Sequence, residues 1–268
     1  MRIAVTGAGG QIGFRLAKWL ATHLDHAEVV AVTRNSLQAK KLAGSACTVR
    51  VGSIEESQGA AQLLKDCDVV VHCALSWESL THRDSPNMAM IRALAQTPAR
   101  LFIFLSTISV YSSCIEAGRN TFEHPRPDDD YGRDKLLCEA ELARRFGDGR
   151  IGITLRLGPT YGPFERFSRR IIDCLNDPSF RLPFGGRRLS NAARIDRVCA
   201  AVAGLIQRPL DSGVYNLTDD PHLTWKDIFD WHSKLCALPE ASFLDDYESS
   251  RLREQFLMRK RKNLSQLG

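Results

Sequence analysis

Tyr131 and Lys135, in Tyr131-Gly132-Arg133-Asp134-Lys135, put a phenol and an ammonium four residues apart. On a helix that spacing places both on one face. A neighbouring cation favours phenolate, so such a tyrosine is expected to exchange a proton near neutral pH. Upstream, the apolar run that ends in Leu105-Ser106-Thr107-Ile108-Ser109 brings a hydroxyl to the end of a strand. In parallel sheets that is the end where ligands bind. Thr107, Tyr131 and Lys135 together could hold a carbonyl or alcohol oxygen, and they form the candidate catalytic set. A Tyr-x-x-x-Lys spacing also arises by chance, as a core tyrosine beside a surface lysine. Its position at the start of the helix after the fifth strand is what distinguishes it here.

A second motif opens the chain. Thr6-Gly7-Ala8-Gly9-Gly10-Gln11-Ile12-Gly13 follows an apolar strand and begins a helix, the setting in which a glycine triplet carries meaning. Gly7 permits a tight turn, Gly10 lets backbone approach a pyrophosphate, and Gly13 lets the helix pack on the strand. The helix start, Gly9 to Gly13 with Gln11 and Ile12, offers N–H groups and partial positive charge to phosphates. Dinucleotide folds that take NAD usually carry a carboxylate ~20 residues on, against the adenosine ribose. Here the second strand ends Thr33-Arg34-Asn35-Ser36, without one. Arg34, beside Asn35 and Ser36, would face the 2′-phosphate of NADP as a favourable charge pair, so NADP is preferred over NAD.

These groups need a scaffold, and the pattern supplies one. Short apolar runs at residues 3–5, 28–33, 48–51, 68–72, 101–105 and 151–157 alternate with helical patterns at 12–23, 36–43, 89–95 and 131–145. Unbroken apolar strands separated by helices predict a doubly wound parallel α/β sheet of the Rossmann kind. Residues 112–130, with Gly118, Pro125, Pro127 and Asp128 to Asp130, read as a long functional loop. After Gly158-Pro159 the alternation weakens. Helices are predicted at 166–175, 195–207 and 225–235, with a strand at 214–217. The expected division is a dinucleotide-binding domain over 1–158 and a smaller substrate lobe over 159–268, interleaved with the end of the sheet.

Composition narrows the classes. The 268 residues are 44% hydrophobic and 25% charged, with a net charge of +5, as expected of a globular chain. No run approaches ~20 apolar residues, so no membrane span is expected, and the strand that begins at residue 3 leaves no room for a signal peptide. The eight cysteines form no C-x-x-C pair and no zinc-ligand spacing with histidine. Reduced thiols in a cytoplasmic protein without a metal are the expectation. The run Arg259-Lys260-Arg261-Lys262 reads as a charged helix end and not as a nucleic-acid site.

Jointly these motifs make the chain resemble an extended short-chain dehydrogenase/reductase of the NAD-dependent epimerase/dehydratase family. The resemblance covers nearly the whole length. It rests on the glycine loop, Asp68-Val69-Val70-Val71-His72, Ser106-Thr107 with Val110-Tyr111, and Tyr131 with Lys135. It continues through Leu155-Arg156-Leu157-Gly158-Pro159-Thr160-Tyr161-Gly162-Pro163, Arg194-Ile195-Asp196-Arg197-Val198 and Val214-Tyr215-Asn216-Leu217. The resemblance implies that Tyr131 is the general acid/base, that Lys135 binds the nicotinamide ribose and tunes Tyr131, and that Thr107 binds the substrate oxygen. It implies that Cys73, Ala74, Leu75 and Leu105 run past the cofactor, that Ser53 and Ile54 lie on its adenine side, and that Gly158, Pro159 and Thr160 lie near the nicotinamide. Ser109, Arg187 and Arg194 would meet the substrate.

The chain also departs from the family's pattern. Gly52-Ser53 stands where an acidic residue is common, Ser112 replaces a glycine, and the C-terminal lobe is small for a nucleotide-sugar enzyme. Ile108-Ser109 follows the threonine where dehydratases carry acidic residues, which disfavours dehydration. The expected activity is hydride transfer at a carbonyl/alcohol carbon, by a reductase or an epimerase, of a sugar nucleotide or related small molecule. A dinucleotide-sensing or regulatory protein that keeps the fold without chemistry is the alternative, and the retained Tyr131 and Lys135 argue against it. Relatives often dimerise through the helices flanking the fifth strand, where Leu136, Leu137 and Leu142 would serve a homodimer seam or pack on the sheet.

Overall fold

The strand segments are apolar at nearly every position, and a strand tolerates that only when both of its faces are covered. The computed structural model, which describes residues 1–78, 80, 85–111, 124–147 and 149–265 (256–265 by backbone alone), shows this arrangement. Strands β1 (Arg2–Thr6), β2 (Glu28–Thr33), β3 (Thr48–Val51), β4 (Val69–His72), β5 (Leu101–Thr107) and β6 (Ile151–Leu157) alternate with helices α1 (Gln11–His23), α2 (Ser36–Lys40), α3 (Ser57–Leu64), α4 (Pro86–Leu94) and α5 (Asp130–Ala143). Then come β7 (Thr160–Tyr161), α6 (Arg166–Asn176), β8 (Ala193–Arg194), α7 (Ile195–Gln207), β9 (Gly213–Leu217), α8 (Trp225–Cys236) and α9 (Asp246–Ser265). The main sheet has the order β3-β2-β1-β4-β5-β6-β9, and every neighbouring pair in it is parallel.

The two-residue period of the strands sorts their side chains into two cores. Ile3, Val5, Val69, Val71, Leu101, Ile103 and Leu105 pack with α1 and α7 on one face. Ala4, Val70, Phe102 and Phe104 pack with α3, α4 and α5 on the other. Leu142 belongs to this second core and is 2% exposed, so it packs on the sheet. Helix starts follow local chemistry. Ser85 caps α4 by accepting from the Met88 N–H, with Pro86 in its first turn, and Asp129 caps α5 by accepting from the Gly132 N–H at 2.6 Å.

The described residues fall into two compact units. One comprises residues 1–111, 124–160 and 193–218, and so takes in α7 and the last strand of the sheet. The other comprises 161–192 and 219–265, with its own core of Tyr161, Ile171, Leu175, Leu182, Ile228 and Phe229. No helix among the described residues is long and apolar enough to cross a membrane. Seven cysteines are free thiols, and Cys114, Gly118 and Ser112 lie outside the described residues.

Candidate active site

All strands of the main sheet run the same way, so the loop after β1 and the end of β5 emerge on one edge. The glycine loop is built for backbone contact. Gly7 has φ +69°, and a Cβ on it would lie 2.6 Å from the Ala74 backbone. A Cβ on Gly13 would lie 2.4 Å from the Gly7 carbonyl oxygen. The loop is therefore closed against the residues after β4, and neither position accepts a side chain. No side chain caps α1 at Gly10, and its first turn holds no acid. Its leading N–H groups fit a phosphate, which is the fit a dinucleotide requires.

The residues expected around a cofactor distribute along this edge. Arg34 is exposed at the end of β2, Asn35 caps α2 by accepting from the Gln38 N–H at 3.0 Å, and Ser36 begins that helix. Gln38 lies against Gly9, where a Cβ would meet its side chain at 2.6 Å. Ser53 and Ile54 follow β3, Ser53 exposed and Ile54 buried. Cys73, Ala74 and Leu75 follow β4, where the Cys73 N–H donates to Thr6 O at 3.2 Å and burial pushes the Cys73 thiol up to about 12. Gly158, Pro159 and Thr160 follow β6. The Gly158 N–H donates to Leu217 O, and Pro159 O accepts from Ala193 N–H.

Thr107, Tyr131 and Lys135 come together at the end of β5. Gly132 lets α5 approach closely, since a Cβ there would sit 2.3 Å from Ser109 O. Thr107 Oγ1 accepts from the Ser109 N–H at 3.1 Å, donates to Ser109 Oγ at 3.2 Å, and interacts with the Tyr131 phenol. Burial raises the Tyr131 pKa above its ordinary 10, against the lowering effect of Thr107 and with Asp129 and Asp134 adding to the rise. The phenol is thus held protonated at neutral pH, as a proton donor. Lys135, 5% exposed, donates to Leu105 O at 3.0 Å and lies 4.6 Å from the centre of the Phe104 ring.

Burial lowers the Lys135 pKa below its ordinary 10.5, with Cys138, Asp134, Cys73 and Glu139 pulling the other way. The folded chain then binds this proton less tightly than the unfolded one, so the charged ammonium costs stability. That cost is full below the folded value and vanishes as pH rises to the unfolded one. Lys135→Met is therefore expected to be more stable than wild type at neutral pH, with the advantage shrinking toward pH 10.5. Urea denaturation across pH measures it, and a Met variant destabilised at neutral pH contradicts this account.

The two arginines expected at a substrate each carry a surface ion pair. Arg187, in the second unit, pairs with Asp246 at 2.7 Å, and Arg194 pairs with Asp196 at 2.5 Å. Several residues that pack around this set were given no role from the sequence. Glu139 accepts from Ser106, next to Thr107, and forms a buried ion pair with Arg156 at 2.6 Å. Arg156 also donates to the Tyr111 hydroxyl, which donates to Asn216 Oδ1 at 3.0 Å. His72 is bonded to Thr6 Oγ1 at 2.7 Å, and burial lowers it to about 3, so it is neutral. Trp77 stacks on Tyr131 with ring centres 5.4 Å apart. Glu139 carried a spacing signal, since residues 131, 135 and 139 share one helix face, while His72, Tyr111, Arg156 and Asn216 stood in the motifs of the resemblance without an assigned role.

The family model described as "NAD dependent epimerase/dehydratase family" matches residues 3–177. A UDP-glucose 4-epimerase from Vibrio cholerae is 23% identical over 238 residues, 82% of this chain and 71% of that protein. A Stigmatella aurantiaca ketoreductase that acts on a farnesylated dihydroquinoline oxide is 25% identical over 230 residues, 82% of this chain and 68% of that one. The crystal structure of UDP-glucuronic acid 4-epimerase from Bacillus cereus in complex with NAD superposes with a TM-score of 0.73 at 24% identity, covering 91% of this chain and 87% of that one.

Proposed function

The chain belongs to the NAD-dependent epimerase/dehydratase family and is an NAD(P)-dependent oxidoreductase or epimerase, and from that premise we propose that Tyr131, Lys135 and Thr107 carry hydride exchange at a carbonyl/alcohol carbon with NADP(H) preferred. The observation that carries this reading is the meeting of the Thr107 and Tyr131 hydroxyls beside a buried Lys135, on the sheet edge that also holds the glycine loop.

The bound dinucleotide supplies or accepts the hydride. The chain's own residues do the rest. The N-terminus of α1 holds the pyrophosphate through backbone N–H groups. Thr107 donates a hydrogen bond to the substrate oxygen and orients it. Tyr131, held neutral by burial, gives its proton to that oxygen in reduction and recovers one in oxidation. Lys135, anchored to Leu105 O, keeps positive charge near the phenol and stabilises the phenolate left after transfer. An epimerase uses the same steps in both directions on one carbon. The substrate is a sugar nucleotide or a related small molecule. A homodimer through α4 and α5 fits the surface groove lined by Met88, Arg92, Leu137, Ala140 and Glu141.

NADP preference rests on Arg34. It is exposed, has no hydrogen-bond or ion-pair partner among the described residues, and follows the end of β2, where Thr33-Arg34-Asn35-Ser36 carries no carboxylate. Arg34→Glu is expected to weaken NADPH binding by about tenfold to a hundredfold, the worth of a charge-assisted contact, and to leave NADH binding equal or tighter. Fluorescence titration of both reduced cofactors measures this. Equal loss for the two cofactors removes the basis for the preference. A carbonyl screen that follows NADPH oxidation tests the activity, and no turnover with either cofactor counts against it.

A further inference from the structure

Trp77 is 68% exposed, an unusual place for an indole, yet it is not loosely held. Its ring stacks on Tyr131, with centres 5.4 Å apart and planes 29° from parallel. The residue before it is fixed at both backbone groups. The Ser76 N–H donates to Asn87 Oδ1 at 2.8 Å, and Asn87 Nδ2 donates to Ser76 O at 2.9 Å. Asn87 Nδ2 also donates to Asp134 Oδ2 at 2.9 Å, and Ser85 Oγ donates to Asp134 Oδ1 at 2.8 Å. Ser76, Ser85, Asn87 and Asp134 are all buried, Ser85 and Asp134 completely. This satisfied network bolts the loop bearing Trp77 to the helix that carries Tyr131 and Lys135, at the residue next to Lys135.

The surroundings are two-sided. The hydroxyls of Thr107, Ser109 and Tyr131 form a polar edge, and the indole lies on the Tyr131 ring with most of its own surface exposed. A pyranose ring has the matching two sides. Its hydroxyls lie around the rim, and the axial C–H bonds of one face carry the partial positive charge that the negative π-face of an indole attracts. An acyclic polar substrate gains little from such a wall.

We propose that Trp77 is the specificity-determining wall of this site, an indole locked to the catalytic helix that receives the C–H face of a substrate's pyranose ring while the reacting carbon meets Tyr131. This rests on the reading of Tyr131 as the acid/base on a sugar nucleotide, and it adds the residue that selects the sugar ring.

The test compares UDP-glucose with UDP, so that only the sugar ring differs. Calorimetric titrations are made on wild type, Trp77→Phe and Trp77→Ala, each saturated with NADPH. Wild type is expected to bind UDP-glucose about tenfold more tightly than UDP. Trp77→Ala loses this sugar increment, Trp77→Phe keeps most of it, and UDP affinity is the same in all three. UDP-glucose, but not UDP, quenches wild-type indole emission, and the Phe variant lacks that change. The proposal is overturned if wild type binds UDP-glucose no better than UDP or not at all, or if the Ala variant retains the increment. It is equally overturned if UDP and NADPH affinities fall along with the increment, which marks Trp77 as structural support only. Failure of the acid/base reading is separate, since it appears as unchanged turnover in a Tyr131 variant whatever the sugar increment does.

Discussion

Tyr131→Phe is expected to reduce turnover by about a hundredfold to ten-thousandfold, the usual worth of a positioned proton donor. The phenyl ring keeps the stack with Trp77 and only the contact of the hydroxyl with Thr107 is lost, so NADPH affinity stays at the wild-type value and stability falls by no more than about 1 kcal/mol. The loss therefore falls on kcat, because the missing hydroxyl acts on the substrate oxygen as its charge develops. Burial keeps the phenol protonated at neutral pH. Reduction consequently has its proton available there, while the oxidative direction gains as pH rises toward the raised phenol value. Steady-state rates in both directions across pH measure this. Equal rates for wild type and Tyr131→Phe remove Tyr131 from the chemistry and with it the reading of the site.

Glu139→Ala is expected to cost about 3–5 kcal/mol of stability, because it leaves the Arg156 guanidinium buried without its carboxylate. The two side chains are 8% and 4% exposed, and three hydrogen bonds join them. Glu139 also receives the Ser106 hydroxyl, so its loss loosens the strand end that presents Thr107 and lowers turnover as well. Removing both charges behaves differently. Glu139→Met with Arg156→Leu is expected to recover most of the stability, since an apolar pair of similar volume often replaces a buried ion pair at little cost. Activity stays low in the double variant, because Ser106 loses Glu139 and Tyr111 loses Arg156. Urea unfolding followed by tryptophan emission checks both. A Glu139→Ala variant within about 1 kcal/mol of wild type would show the pair to be dispensable.

Much of this was legible before any coordinates. The unbroken apolar runs at 69–71 and 101–105 marked strands covered on both faces, and the glycine spacing at 7, 10 and 13 marked the bend that follows β1. Tyr131 and Lys135 declared a shared helix face through a spacing of four. All of these are local signals, carried by periodicity or by steric rules that operate within a few residues. Ser85-Pro86 was an equally local start signal for α4, which begins three residues before the expected 89.

The sequence by itself therefore determined the parallel α/β layout, the glycine loop and the placing of Tyr131 and Lys135 on one helix face, because each follows from residues adjacent along the chain or one helical turn apart. Tertiary structure alone decided which groups buttress them. Arg156 reaches Glu139 across 17 positions, Asn87 reaches Asp134 across 47, and Trp77 lies on Tyr131 from a different strand's loop. It also decided the direction in which the phenol shifts, since desolvation depends on everything packed around a group, and burial raises Tyr131 against the lowering effect of Thr107.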